Sequence, residues 1–217
     1  MNKDIFVENL KDLISEKNFN EVFKKSVKLI KPSKSRVIIL LALFCILIGP
    51  IFYLVIQDET STKVIELVDM SNDILMGIFG ISFTGYALFQ ALLGANALKQ
   101  MLLQKIGKSS NLKTYNMYFF ICSTLYLFLI VCNYVIKIII ETNINLLVKL
   151  YIPELYYNIL ITFFLMIYIL LNIFSMLETK SLVLNMYFCF NTSVFSEGLE
   201  IISNENQQEE SKGNNDN

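Results

Sequence analysis

The chain has 217 residues, of which 54% are hydrophobic and 17% charged, with a net charge of -1 and no histidine. Its apolar residues gather into four uncharged blocks, a membrane composition that excludes an ordinary soluble domain. Without histidine the commonest general base and metal ligand is missing, so Ser-His and Cys-His nucleophile pairs and an H-E-x-x-H zinc site are excluded.

Residues 1–36 read as a leader of two short helices. Phe6, Leu10, Leu13 and Ile14 recur at helical spacing, Asn18-Phe19-Asn20 interrupts, and Asn20 is expected to cap a second helix with Glu21 in its first turn. Val22, Phe23, Val27 and Ile30 continue that helix until Pro32 stops it. Lys24, Lys25, Lys28, Lys31, Lys34 and Arg36 fall here with no acid among residues 22–36. A basic amphipathic helix suits contact with an anionic lipid leaflet; the plainer reading is a topological anchor.

Four runs follow, at 37–56, 74–98, 114–136 and 155–177, each at or above the ~20 residues a helix needs to cross the hydrocarbon core. In the first, Gly49-Pro50 is a candidate bend. The second carries small residues at Gly77, Gly80, Thr84, Ala87, Ala91 and Gly94, which fall within an arc of roughly 100° on one helix face and predict a helix-packing interface. Packing within the chain is the favoured use of that stripe, and a subunit interface the alternative.

Charge sorts by loop. Asp58, Glu59, Glu66, Asp69 and Asp73 face a single Lys63 after the first run, whereas Lys99, Lys105, Lys108 and Lys113 follow the second without an acid. By the positive-inside rule the N-terminus and the 99–113 loop are cytoplasmic, and four crossings return the C-terminus to the same side. Between the third and fourth runs, Lys137 is expected to snorkel outward. Leu146, Leu147, Val148, Leu150, Tyr151, Tyr156 and Tyr157 are expected to lie at the opposite interface. Beyond the fourth run, 178–202 is an apolar cytoplasmic or interfacial segment and 203–217 a polar tail expected to be disordered. The predicted fold is therefore an all-α membrane protein: four transmembrane helices, N-in and C-in, with short amphipathic cytoplasmic helices at the N-terminus and after the fourth span.

The chemistry is mostly negative. No acid lies inside the four runs, and Asp69 with Asp73 is read as a solvated topology signal in preference to a weak cation site. Cys45, Cys122, Cys132 and Cys189 suggest no disulfide framework. No catalytic, cofactor-binding or metal-binding residue is assigned, no cofactor is expected, and no nucleic-acid partner is expected. Gln90 and Asn133 are the candidate pore-lining residues if the chain forms an oligomeric channel. Seventeen lysines to one arginine suggest a low-GC bacterium.

In outline the chain resembles the membrane components of bacterial toxin-immunity and anti-phage systems. The likeness covers topology, not residues, and carries over no functional position. The expected function is a non-enzymatic multi-pass protein of the cytoplasmic membrane. It would work by protein contacts, in immunity, defence or scaffolding, with lipids and a homo-oligomer or another protein as partners. A small oligomeric channel is the alternative.

Overall fold

The structure, a computed structural model, describes residues 3–57, 59–106, 109–142 and 152–213. It is about 90% helical, and four of its helices are long and apolar enough to cross a membrane. In chain order these residues form α1 (Lys3–Leu13), α2 (Phe19–Ser26), a 3-10 turn (Val27–Ile30), α3 (Lys34–Ile56), α4 (Thr60–Leu92) and α5 (Ala95–Leu103). A two-stranded antiparallel ribbon (Lys105–Ile106 with Ser109–Ser110), α6 (Asn111–Glu141) and α7 (Glu154–Gly213) complete the described chain.

The helix ends follow local chemistry. Asn18, rather than Asn20, caps α2: its side chain accepts from the Glu21 backbone N–H at 3.0 Å while Glu21 reaches back to the Lys17 N–H at 3.1 Å. Ser33 caps α3, directly after Pro32. Pro50 lies inside α3, whose helical backbone runs through it without interruption.

Three boundaries differ from the hydropathy reading. The second run breaks at residue 93, because Gly94 takes an extended backbone (φ -68°, ψ 162°) and starts α5. The third extends at both ends, to Asn111 and Glu141, so Lys137 sits within a helix. The fourth does not stop at Leu177; α7, 60 residues in all, runs on to Gly213, through the predicted interfacial segment and past Ser203, where composition places a disordered tail. The expectations for Leu146 to Tyr151 fall on residues outside those described, as do residues 214–217.

The chain divides into two compact units. One comprises residues 30–81 and 122–180, with a core of Ile51, Val55, Val64, Val68, Leu165 and Met166 from α3, α4 and α7. The other comprises 1–29, 82–121 and 181–217, with a core of Phe89, Met101, Leu102, Leu112 and Cys189 against which Phe6 and Leu13 of α1 pack.

Candidate functional site

In the unit built from 1–29, 82–121 and 181–217, the leader docks through polar groups. Asn9, only 3% exposed, donates from Nδ2 to the Leu102 carbonyl at 2.6 Å. Lys113 is buried at the start of α6. Its ammonium donates to Asp12 Oδ1 at 2.8 Å and Ser15 Oγ at 3.0 Å, and pairs with Glu16 at 2.8 Å. Lys25 completes the cluster at 2.6 Å from Glu16. Burial alone would raise the Glu16 carboxyl, but hydrogen bonds from Lys113 and Lys25 outweigh it and hold the group at about 2. The same bond from Glu16 raises the Lys25 ammonium above its ordinary value. Phe19 adds an edge contact to Phe120 at 5.5 Å between ring centroids.

This corrects the face assigned to α1. The buried positions run Phe6, Asn9 and Leu13, while Leu10 and Ile14 of the predicted apolar face are exposed. Of the six basic residues expected at lipid, Lys25 is committed to Glu16 and Arg36 to Glu178; Lys24, Lys28, Lys31 and Lys34 are exposed.

Five of the six stripe residues face away from this chain's own packing, whereas Gly94 is half-buried, with Glu197 Oε1 of α7 3.3 Å from where a Cβ would stand. Gly77, Gly80, Thr84, Ala87 and Ala91 are all exposed, and a Cβ at Gly77 or Gly80 would meet nothing within 4 Å. Gly94 leaves the row because α4 ends before it. Close approach occurs instead at Gly85, off the stripe, where a Cβ would lie 1.9 Å from the Met186 methyl of α7. The candidate pore residues both take partners inside the chain. Gln90 donates to Tyr86 Oη at 2.8 Å, which in turn donates to Asn116. Asn133 is 2% exposed and accepts from Tyr168 Oη at 2.8 Å.

Between residues 181 and 202 the faces of α7 are inverted relative to a soluble helix. Leu182, Cys189, Ser193 and Ser196 are buried, whereas Val183, Leu184, Tyr187, Phe188, Phe190, Val194 and Phe195 are exposed, a contiguous apolar surface that hydropathy locates but cannot orient.

In the unit built from 30–81 and 122–180, Glu178 of α7 is fully buried and ion-paired with Arg36 of α3, and Tyr126 Oη lies 2.9 Å from Thr179 Oγ1 beside it. At the other end of α3, a tight turn returns the chain: Thr60 Oγ1 donates to the carbonyls of Leu54 and Val55 at 3.0 Å each. Counted outward from that turn at equal rise, Glu66, Asp69 and Asp73 stand about level with Ile51, Ile48 and Phe44, inside the apolar length of α3. Ile51 and Val55 of α3 share a core cluster with Val64 and Val68 of α4, as that pairing requires. Asp69 is met by Lys137 of α6, with both oxygens 3.0 Å from Nζ, in a pair whose two side chains are exposed. The acids lie outside the second apolar run, yet they share the depth of the first.

The same unit holds an elongated cavity of about 740 Å³ between α4, α6 and α7. Among the described residues no cluster of three or more acids or cysteines is placed to hold a metal ion. Comparison with family models, with curated proteins and with solved structures found no match.

Proposed function

We propose that the chain is a non-enzymatic, multi-pass protein of the bacterial cytoplasmic membrane, with both termini cytoplasmic. It acts by protein contacts as an immunity, defence or scaffold component. The observation that carries this reading is the length of apolar helix in α7. From Glu154 to Ile202 its contour is about 73 Å at 1.5 Å per residue, against a hydrocarbon core of ~30 Å. One crossing accounts for the residues up to the level of Glu178 and Lys180. The remaining exposed face, from Val183 to Ile202, needs another cover.

The leader does not supply that cover over the exposed side chains, and its own polar cluster ties it to α5 and α6. A protein partner, either a second copy or a different chain, therefore fits the surface. The lysines at 24–34 and 99–113 support the inside orientation. The channel reading is weakened because Gln90 and Asn133 both bond within the chain.

A Phe188→Trp variant tests the reading, since the chain contains no tryptophan and the reporter is single. After mild solubilisation from its own membranes and reconstitution with its co-isolated partner, the expected emission is blue-shifted and resistant to quenching by brominated lipid. Quenching as strong as that of an Ile38→Trp reporter on exposed α3 would mean that lipid covers the face, and would overturn the proposal.

A further inference from the structure

The cavity between α4, α6 and α7 has the form of a lipid slot. Along α6 it runs from Phe128 to Ile140, about 18 Å, and along α7 from Glu154 to Leu171, about 25 Å, comparable with the ~15 Å depth of one leaflet's hydrocarbon. Its deep wall is apolar and buried, formed by Val68, Leu129 and Leu165, with Tyr168 and Leu171 lining the end away from Glu154. Its polar lining is gathered at one end, where Gln57, Thr60, Ser61, Glu154 and Asn158 stand beside the turn that terminates the apolar run of α3.

Along the side the slot is bordered by Phe128, Ile139, Phe164 and Ile167, all exposed, so a chain can enter sideways from surrounding lipid without crossing polar groups. A volume of about 740 Å³ falls in the range of ligand sites, and a mostly apolar wall with a few convergent polar groups is their usual lining. The head end carries a formal negative charge at Glu154, while Lys63 beside it in α4 is engaged with Gln57 and Glu59. That balance favours a headgroup that brings an ammonium over one that brings only negative charge.

We infer that this slot binds one acyl chain of a phospholipid whose headgroup carries a free ammonium, with that headgroup at Glu154 and Asn158 and the chain end toward Tyr168. The site is independent of the partner reading above, because it lies wholly among residues 55–68, 128–140 and 154–171.

The test uses the full chain, delipidated in detergent and titrated with phosphatidylethanolamine or phosphatidylglycerol, with retained lipid read by native mass spectrometry. One phosphatidylethanolamine per chain should survive activation, several-fold more abundant than phosphatidylglycerol at equal concentration. Val64→Phe, which fills the slot, should reduce the retained lipid at least fivefold. Ile140→Trp, at a half-buried wall position that tolerates bulk, should do the same if the Val64 variant does not fold. Glu154→Gln should erase the preference between the two lipids, and Ile38→Phe on the outside of α3 should change nothing. Equal retention of the two lipids by the wild-type chain overturns the inference without any variant. So does retention that is unchanged in a folded slot-filled variant, or a loss with Ile38→Phe equal to that with Ile140→Trp.

Discussion

The unit of residues 30–81 and 122–180 and the unit of 1–29, 82–121 and 181–217 both leave large apolar side chains exposed, yet they bury different things. The first buries aliphatic side chains from three long helices and makes its described ion pairs singly, Arg36 with Glu178, Lys137 with Asp69 and Lys63 with Glu59. The second joins short helices through a cluster of four charges around Lys113, beside a small apolar core. A bilayer explains exposed Ile, Leu and Phe on helices one span long, because lipid is as apolar as they are. The same side chains on α7 beyond Lys180 are the surface on which the proposed protein contact rests.

The largest way to break this contrast is to remove a buried charge from the first unit. Glu178→Gln leaves Arg36 without its carboxylate partner and should cost about 2–4 kcal/mol, read as a lowered unfolding temperature in detergent. The double variant Arg36→Met with Glu178→Met should recover most of the loss; a double variant no better than the single would show that the pair itself is not the source.

The second unit should respond to acid. The Glu16 carboxylate is held at about 2, below the 4.5 of the unfolded chain, so its contribution is fully present above 4.5 and is lost as pH falls toward 2. Glu16→Gln should remove on the order of 2 kcal/mol of leader docking at neutral pH. Trypsin should then cleave after Lys11 and Lys17 faster in the variant than in the wild type, while the α3 to α4 hairpin stays equally resistant.

Glycines sharpen the comparison further. Gly85→Leu collides with Met186 and should destabilise by about 1–3 kcal/mol, whereas Gly80→Leu enters open space and should leave the unfolding of the isolated chain unchanged within about 0.5 kcal/mol. A change in the oligomeric mass of Gly80→Leu alone would assign the stripe to contacts between chains. The smallest effect is expected for Tyr168→Phe, which deletes the hydroxyl that donates to Asn133 and bonds Ser71, and should cost about 0.6–1.7 kcal/mol in thermal unfolding.

Much of the architecture was readable from the order of residues, and its gaps have physical causes. Four long apolar runs and a two-helix leader stopped at Pro32 are visible because hydropathy and proline act locally. The docked face of the leader is not, since Asn9 meets Leu102 and Glu16 meets Lys113, each more than ninety positions away. A row of small residues likewise reports where a backbone can be approached, not whether anything approaches it. The stripe through Gly77 and Gly80 is open while Gly85, off its main arc, is occupied. Depth is the third gap. Hydropathy delimits each run separately, and only the register of α3 with α4 shows that Glu66, Asp69 and Asp73 share the level of the first run.

That register bears on how the chain reaches its place. Val37 to Ile56 carries no charge and can leave the translocation machinery for lipid unaided, but the first fourteen residues of α4 hold Lys63, Glu66, Asp69 and Asp73 and cannot. A turn as short as the one closed by Thr60 leaves no slack for α3 to depart first. We expect the two helices to be released together as a hairpin, with Lys137, synthesised some seventy residues later, arriving to meet Asp69.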